Sequence, residues 1–318
     1  MTTSEASVSI IIVNWNGGEL LRRCVESIDQ FPPRLPHEIV VVDNASTDES
    51  VEWLKRQAAT GRLRLIENEA NVGFSRANNR AIAETRSAIV FLLNADTEVT
   101  AGAIDTLIET VQLHARHGAC GPRLVHPDGS LQPSAWPNPP TVWETVIAGT
   151  GLWRLIPPRL RGRLLLGGHW DHSTRRAVPM LFGAAFLVKR EVIDAIGPLD
   201  ERLHMYAEDN EWCLRMTRGG WRVIFEPAAT VVHHGAQSSL QRWTAPERLR
   251  VQLRSSLEFQ KRAFSRTRFM AQLAAGCAVS GLQRAWRTVR RTRTDEVAIV
   301  FDVYSTALKQ SLRRHRPS

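Results

Sequence analysis

Four short apolar runs alternate with segments of helical periodicity over the first 95 residues, and this alternation limits the fold more than any other feature. The runs are Val8–Val13, Glu38–Val42, Leu63–Ile66 and Ala88–Leu93. Apolar runs of this length indicate buried strands, and strands joined through helices cross over right-handedly and pair in parallel. The sequence therefore predicts an α/β fold with a mostly parallel central sheet flanked by helices.

The rest of the chain is less regular. Between residues 124 and 179 prolines cluster and tryptophans lie among arginines. Such a segment either builds a substrate or membrane-interface contact or covers a small satellite core. Beyond it we predict, in order, a strand over Met180–Val188, a helix over Arg190–Ile196, a helix after Glu208, a strand over Trp221–Phe225 and basic helices from Ala245.

Length, hydropathy and cysteine usage exclude several classes of protein. A chain of 318 residues can bury a substantial core, and no apolar run approaches the roughly 18 residues of a membrane-spanning helix. The N-terminus lacks the basic region of a signal peptide, and the four cysteines are too widely separated to form a metal-ligand pair. We therefore expect a cytoplasmic protein, either free or peripheral on the cytoplasmic face of the plasma membrane.

The net charge of +9 is concentrated towards the C-terminus. Residues 242–318 hold 17 Lys and Arg against 5 Asp and Glu, a net +12, so the preceding 241 residues carry −3. A basic tail on a slightly acidic body indicates an anionic partner, either a membrane surface or a nucleic acid. A solvated helical face is the alternative.

Three of the predicted strands end in polar loops, at Asn14–Asn16, Asp43–Asp48 and Asn94–Asp96. Open α/β sheets bind ligands beyond the carboxyl ends of their strands, so these loops are expected to share one ligand. An acid such as Asp96 at that edge can hold a hard divalent cation, and the cation can hold a diphosphate. Alternatively, Asn94 and Asp96 cap the next helix or form an Asx turn.

Other polar residues follow the second and third predicted strands. Asp43 is placed to accept hydrogen bonds from a nucleobase N–H or from ribose hydroxyls, and an Asx turn is its structural alternative. The Asn71-x-Gly73 motif supplies a tight turn with amides that orient a nucleotide, and Arg76 adds a positive charge close by.

The segment Tyr206–Glu211 contains three carboxylates within four residues. Acids this close repel one another, and a fold tolerates them where a cation or a reactive hydroxyl is nearby. Glu208 and Glu211 share a helix face at spacing i, i+3, while Asp209 points elsewhere. Capping of the helix that follows is the alternative, because acids are favoured at a helix N-terminus.

Two histidines, His233 and His234, follow the apolar Thr230–Val232. Histidine is a common metal ligand, and adjacent residues on an extended segment face opposite ways, so only one of the pair can point into a site. A core or surface role is the alternative.

The order of these motifs resembles that of a family two glycosyltransferase, over roughly residues 8–262, and most closely the bacterial rhamnosyltransferase-like branch. The motifs that carry the resemblance are, in order, Ser9–Asn16, Val41–Asp48, Asn71–Phe74, Leu92–Asp96, Gly183–Phe186, Tyr206–Asp209 and His233–His234. The resemblance implies the GT-A fold, with a nucleotide-binding half at about residues 1–123 and an acceptor-binding half at 124–241. A basic helical C-terminal extension at 242–318 would follow.

Matching motif positions also implies residue roles. Asp43 would contact the base and ribose of a nucleotide sugar, and Asp209 would be the general base. Asp96 would hold Mg²⁺ or Mn²⁺ against the diphosphate, with His233 as a helper. The other positions assigned to the nucleotide sugar are Asn14, Asn71, Gly73, Arg76 and Asn94. Those assigned to the acceptor are Glu208, Glu211 and Trp212.

The chain departs from the family pattern at two places. Asn94 stands where the first acid of the D-x-D motif is expected, which leaves Asp96 as the main carboxylate ligand. The Q-x-x-R-W motif of processive synthases is absent, because Gln241-Arg242-Trp243 has no spacer. A single-addition transferase is therefore favoured over a polymerase.

The hypothesis from sequence is a metal-dependent, inverting transferase that moves one sugar, rhamnose from dTDP-rhamnose, to a lipid-linked or cell-envelope glycan at an anionic membrane surface. A transferase of the same family using a UDP- or GDP-sugar is an alternative. A nucleotidyltransferase is a rival, but no Gly-rich, lysine-bearing phosphate loop lies near the first strand. A non-catalytic nucleic-acid-binding protein would suit the tail, but not the carboxylate cluster or the acidic first 241 residues. No nucleic-acid partner is therefore expected.

Overall fold

The computed structural model describes residues 7–136, 141–165, 167–203, 205–235 and 243–313. These residues form two compact units. Among them, the first unit comprises residues 7–136, 171–203 and 208–235. The second comprises residues 141–165, 167–170, 205–207 and 243–313. Gln241 and Arg242, which with Trp243 lack the spacer of the processivity motif, lie outside the described residues.

The first unit begins with the predicted alternation of strands and helices. Its first four strands pair in parallel in the order β3-β2-β1-β4. Those strands are β1 (Val8–Asn14), β2 (His37–Asp43), β3 (Arg64–Glu67) and β4 (Ile89–Asn94), and the helices between them are α1 (Gly18–Gln30), α2 (Ser50–Ala59) and α3 (Phe74–Glu84). The α/β prediction is confirmed, because the central strands are buried on both faces as their apolar runs require.

The sheet then continues beyond β4 in the order β4-β11-β6-β12-β5. Strand β11 runs antiparallel to both of its neighbours, and β12 is parallel to β6 but antiparallel to β5. The strands are β5 (Thr97–Val99), β6 (His117–Val125), β7 (Leu131–Gln132), β8 (Ala135–Trp136), β9 (Arg176–Ala177), β10 (Met180–Leu181), β11 (Ala185–Lys189) and β12 (Arg222–His233). The helices are α4 (Ala103–Gln112), α7 (Arg190–Ile196) and α8 (Glu208–Arg218).

The strand predicted over Met180–Val188 is interrupted. Strand β10 pairs with β8, and β11 joins the main sheet. Between them, the Phe182 amide donates to the Ser134 carbonyl at 2.8 Å, and the Ala184 carbonyl accepts from the Asn94 amide at 2.9 Å. The apolar run predicted one strand because its residues are buried on both sides of the break, but the backbone changes partners there.

The second unit consists of helices and short turns. Its elements are α5 (Val142–Thr150), a 3-10 turn at Leu152–Leu155, α6 (Pro158–Leu164), a 3-10 turn at Gly167–His169, α9 (Ala245–Ala263), α10 (Arg266–Val289) and α11 (Asp295–Arg313). Residues 141–170, expected in the acceptor-binding half, thus group with the basic C-terminal helices. None of the described helices combines the length and apolar character needed to cross a bilayer.

Glycines allow close helix packing within the second unit. A Cβ at Gly149 of α5 would lie 2.0 Å from Val279 Cγ1 of α10, and one at Gly276 of α10 would lie 2.2 Å from the Tyr304 ring of α11. Tyr304 is buried in a small apolar cluster that also contains Leu257, Phe269 and Leu273. The unit therefore has its own core, in which methyl groups at these glycines have no room.

We predict that Gly276→Ala destabilises the second unit by about 1–3 kcal/mol, because the added methyl overlaps the Tyr304 ring in a packed core. Gly281→Ala is the matched control, since its Cβ would lie 3.4 Å from Phe301, an ordinary contact, and alanine favours the helix by about 1 kcal/mol. Thermal melting followed by circular dichroism measures both. Equal melting temperatures for the two variants would contradict this account of the packing.

Candidate active site

Pairing of β5 with β12 brings Asp96 and His233 together across 137 positions of sequence. His233 lies opposite Thr97 in the antiparallel register, and the His234 amide donates to the Asp96 carbonyl at 2.9 Å. The His233 Nε2 atom is 3.3 Å from Asp96 Oδ1, and both side chains are buried. His234 faces the other way and bonds Glu98 Oε1 at 2.6 Å. As expected for adjacent residues on a strand, only one of the two histidines reaches this site.

The hydrogen-bond partners of the His233 ring show which of its two nitrogens carries the proton. Its Nδ1 lies 2.9 Å from Gln132 Oε1, an oxygen that can only accept, so Nδ1 carries the proton. In the neutral ring, Nε2 is then an acceptor facing a carboxylate oxygen. This buried Nε2 has no hydrogen-bond partner among the described residues. Two acceptors held this close are stabilised by a cation between them.

The donor set fits a divalent cation that is shared with a ligand. Octahedral ligands at about 2.1 Å from Mg²⁺ lie about 3.0 Å from one another, close to the 3.3 Å between these two atoms. No third His, Cys, Asp or Glu joins them within the described ranges. Cations held by one or two protein groups complete their shell with water and substrate phosphates. Gln132 does not face the cation position; it accepts a hydrogen bond from the His233 ring and so fixes the orientation of that ring.

The loop after β2 is held by a buried network around Asn14 and Asp43. The Asn14 side-chain amide donates to Asp43 Oδ1 at 2.8 Å and to Ser50 Oγ at 2.8 Å. Asp43 Oδ2 accepts from the Ser46 amide at 3.0 Å. This bond closes a local turn at Asp43, as the Asx-turn alternative for this residue predicts. Asn14 thus positions the loop, and its side chain is occupied within it.

Asn44 joins this loop to the segment after β3. Its carboxamide oxygen accepts from the Val72 amide at 3.0 Å, and its nitrogen donates to Asn71 Oδ1 at 3.0 Å. Asn71 Oδ1 also accepts from the Gly73 amide at 3.0 Å, and Gly73 has a φ of 87°, which favours glycine. The Asn71-x-Gly73 turn and the Asp43 loop are therefore one hydrogen-bonded assembly at the sheet edge.

Asp209 reaches the same sheet edge from the start of α8. Its Oδ2 accepts from the Gly183 amide at 3.1 Å, in the segment that interrupts the two strands β10 and β11. The neighbouring Phe182 ring lies 5.8 Å from the His233 ring, centroid to centroid. Contacts thus run from Asp209 through Phe182–Gly183 to His233 and on to Asp96. The two acids predicted to act together are therefore joined by a series of contacts within the first unit.

Two acids at the start of α8, Glu208 and Asp209, are buried, and burial makes both hold their protons more tightly. It raises the pKa of Glu208 to about 8, and the negative charge of Asp209 adds to the shift. Burial also raises the pKa of Asp209, although amide hydrogen bonds from Asn210 and Gly183 oppose the change. The Glu208 Oε2 atom has no hydrogen-bond partner within the described residues. A proton shared between the two carboxyls would relieve the repulsion between two buried negative charges.

The protein-family model described as Glycosyl transferase family 2 matches residues 9–197, more than half of the chain. The chain belongs to this family. Among curated relatives, N-acetylglucosaminyl-diphospho-decaprenol L-rhamnosyltransferase of Mycobacterium tuberculosis is 30% identical over 259 residues, covering 72% of this chain and 76% of that protein. The O-antigen biosynthesis protein RfbC of Myxococcus xanthus is 29% identical over 233 residues, covering 73% of this chain and 17% of its own length.

Solved glycosyltransferase structures share the fold. Mannosyltransferase PcManGT from Pyrobaculum calidifontis superposes with a TM-score of 0.58 at 18% identity, covering 99% of this chain and 89% of that one. GalNAc-T7 gives a TM-score of 0.57 at 20% identity, covering 98% of this chain and 58% of that one. The expected GT-A fold is confirmed.

Several residues assigned to the site in this family 2 enzyme have other partners. Arg76 forms a partly exposed ion pair with Glu201 at 3.4 Å, and Glu211 pairs with Arg215 one helical turn away at 2.6 Å. Trp212, assigned to the acceptor, is instead 1% exposed; its indole donates to the Gly197 carbonyl at 3.0 Å and stacks on the Phe186 ring in the core. Trp212 therefore has a packing role.

Other site residues were absent from the sequence predictions. Gln132 lies on a two-residue strand with no periodicity to mark it, and only the pairing of β7 with β6 brings it beside His233. Gly183 belongs to a sequence motif that assigns it no role, because its amide reaches Asp209 only where the strand is interrupted. Asn44, beside Asp43, carried a usable signal: a carboxamide directly after a strand favours turn formation.

We predict that Glu208→Gln becomes more stable relative to the unsubstituted protein as pH rises from 5 to 8. Glu208 is protonated in the fold up to about pH 8, whereas the unfolded chain loses that proton near pH 4.5, so ionisation favours unfolding between these values. Each pH unit crossed is worth at most about 1.4 kcal/mol. Glu52→Gln, at an exposed position of α2, serves as control and should show no such trend in urea unfolding. A difference independent of pH would contradict the raised pKa.

Proposed function

We propose that this family 2 glycosyltransferase transfers one sugar, with inversion, from a nucleoside diphosphate sugar to a lipid-linked or polysaccharide acceptor. The observation that carries the proposal is the continuous set of contacts that joins Asp209 to Asp96 through Phe182–Gly183 and His233. It supports a single cleft with a proton acceptor on one side and a cation-binding pair on the other.

The donor is proposed to be dTDP-rhamnose. The similarity to an L-rhamnosyltransferase over 76% of that protein's length supports rhamnose, and it supports a polyprenyl diphosphate-linked N-acetylglucosamine as acceptor. UDP- and GDP-sugars are the alternative donors; PcManGT was solved with GDP-mannose. The loop of Asp43 and the Asn71–Gly73 turn, assembled by Asn44, form the proposed contact for the nucleoside and ribose.

The proposed cofactor is Mg²⁺ or Mn²⁺, held by Asp96 and His233. Two structural neighbours, PcManGT and GalNAc-T7, were solved with Mn²⁺. A cation there would neutralise charge that develops on the leaving diphosphate, a stabilisation of several kcal/mol. Asn94 precedes this position at the end of β4 and is proposed to contact the donor.

Asp209 is proposed to act as general base. The acceptor hydroxyl gives its proton to Asp209 as its oxygen bonds to the anomeric carbon, and the bond from that carbon to the diphosphate breaks with the electron pair leaving on the diphosphate. Attack from the face opposite the leaving group inverts the configuration. The Gly183 amide holds Asp209 in place, and the protonated Glu208 leaves Asp209 free to accept a proton.

We predict that Asp209→Asn lowers kcat by 10²- to 10⁴-fold, roughly the contribution of a positioned general base. Donor affinity should change little, because the contacts proposed for the nucleotide lie on other loops. The measurement is release of nucleoside diphosphate from dTDP-rhamnose, and from UDP- and GDP-sugars, in the presence of acceptor.

Asp194→Asn, the same substitution at an exposed position of α7, is the matched control and should retain activity. Unchanged turnover in Asp209→Asn would remove Asp209 as the base. Release of diphosphate from none of the sugar nucleotides by the unsubstituted protein would overturn the proposed donor class.

We predict that Asp96→Asn weakens Mn²⁺ binding in the presence of nucleoside diphosphate by at least about tenfold, since the only protein carboxylate proposed to hold the cation is lost. Gln132→Leu should weaken it by about 10- to 100-fold, because the His233 ring loses the group that orients it. Isothermal titration with Mn²⁺ measures both against Asp194→Asn. Equal affinities in all three variants would place the cation elsewhere.

The last proposed partner is an anionic membrane surface, as the sequence predicts from its basic C-terminal segment. The name of the Mycobacterium tuberculosis rhamnosyltransferase supports this partner, because it specifies an acceptor linked to diphospho-decaprenol. Such a lipid-linked acceptor is presented at a membrane. The charge of residues 242–318, at +12, provides the complementary sign.

A further inference from the structure

Large apolar side chains that face solvent are concentrated in the second unit. In the part of the chain that the structure describes, Leu113 is the sole exposed member outside that unit. The others are Trp143, Leu152, Leu155, Leu160, Leu164, Leu282, Trp286, Val289 and Leu312, with exposures from 39% to 80%. Exposed apolar side chains indicate a surface that another molecule covers when they lie together in one patch.

Most of these residues belong to two chain segments that lie on either side of a contact between α5 and α10. The first runs from Leu152 through the end of α6, and the second is the last two turns of α10. The Gln283 side chain of α10 donates to the Gly149 carbonyl at 2.6 Å, and Gly149 allows the close approach of Val279. Gly149 lies three residues before Leu152, and Gln283 lies within Leu282–Val289, so this contact ties α10 to the helix that leads into the first segment.

On α10 the exposed residues form a single stripe. Leu282, Trp286 and Val289 are separated by four and then three positions, so they lie on one face of the helix. Helix α6 repeats the arrangement with Leu160 and Leu164, four positions apart. Two amphipathic segments therefore present apolar residues to solvent within one unit.

Arginines surround both apolar segments, and acids are missing from them. Residues 145–170 contain four arginines and residues 282–293 contain five, with no Asp or Glu in either stretch. Arg154 and Arg161 lie 5.0 and 5.1 Å from the Trp153 ring, and Arg290 lies 4.4 Å from the Trp286 ring. Tryptophan with neighbouring arginine is typical of the boundary between lipid headgroups and acyl chains.

We infer that Leu152–Leu164 and Leu282–Val289 together form one lipid-docking face, which inserts its apolar side chains into the surface of an anionic bilayer. The inference rests on the proposed membrane partner and assigns the residues that make the contact. Amphipathic segments of this kind lie in the interface, about 5–10 Å deep, and do not cross it. The lipid-docking face is made jointly by the segment after α5 and by the last two turns of α10.

Charge and composition favour a bilayer over other occupants. A second copy of the chain placed symmetrically on this face would bring two arginine-rich, acid-free surfaces together, which repel. A nucleic acid would satisfy the arginines but leave exposed leucine and valine side chains against phosphates and sugars. An anionic bilayer satisfies both, with headgroup phosphates for arginine and acyl chains for the apolar residues.

The test is co-sedimentation of the full chain with vesicles of phosphatidylcholine alone or with phosphatidylglycerol. The unsubstituted protein should bind only the anionic vesicles, and more weakly as salt is raised. The double variant Leu155→Ser, Trp286→Ser should bind at least about tenfold more weakly, since two large apolar side chains no longer enter the lipid. Arg287→Gln with Arg290→Gln should weaken binding roughly fivefold per arginine.

Two matched controls lie off the lipid-docking face. Leu113→Ser is 61% exposed in the first unit, and Leu312→Ser is 56% exposed at the far end of α11, which runs antiparallel to α10 as the Gly276–Tyr304 and Gly281–Phe301 contacts show. Both controls should bind anionic vesicles as tightly as the unsubstituted protein. Circular dichroism melting confirms that each variant remains folded.

Transfer to a water-soluble acceptor analogue separates this inference from the proposed function. An active enzyme that binds neither kind of vesicle, or whose binding is equally reduced in the controls, overturns the lipid-docking face and leaves the transferase intact. If the double variant changes only the oligomeric state, measured by light scattering, the face is a contact between copies and the inference is wrong. Lost vesicle binding with retained transfer supports it.

Discussion

The short antiparallel pairing of β5 with β12 determines the geometry of the site. Three residue pairs set the register, and the His234 amide bond to the Asp96 carbonyl extends it. That register places the His233 Nε2 atom against the Asp96 carboxylate, with both buried. Burying two facing acceptors costs free energy unless a cation or a proton lies between them. The folded protein is therefore stabilised when positive charge binds there. Gln132 and Phe182 contact the His233 ring from two other segments of the first unit.

Most polar side chains at the sheet edge first serve the fold. Asn14 and Asn44 each satisfy several groups in loops that would otherwise leave buried amides without partners. The loops are thereby fixed before any ligand binds, which reduces the entropy lost on binding. Asp43 belongs to this network through both of its carboxylate oxygens. Structural and binding roles are therefore compatible at these positions, and the sequence alternatives of turn and ligand do not exclude each other.

Local sequence pattern was sufficient for the first half of the sheet and insufficient for contacts made between distant segments. The strands β1 to β4 follow from apolar runs between helices; the runs of β1, β2 and β4 are buried on both faces, and β3 is the half-buried edge strand. The break at Phe182–Ala184 was missed, since apolar burial continues while backbone partners change. Trp212 was assigned to the acceptor from its place beside the acids in sequence, but its ring is buried against Phe186. Asp96 and His233 were paired by motif resemblance, and only strand register explains why they meet.

The reversed direction of β11 has a consequence for how such a sheet can change during evolution. Because β11 runs antiparallel to β4, the chain enters β11 at the same edge where β4 ends at Asn94, and the connecting segment contains Gly183, whose amide contacts Asp209. Residues inserted before β11 would lengthen the segment beside Asp209 without altering any ladder in the main sheet. A change in the length of this one loop can therefore alter the space beside Asp209, while the strands of the main sheet stay as they are.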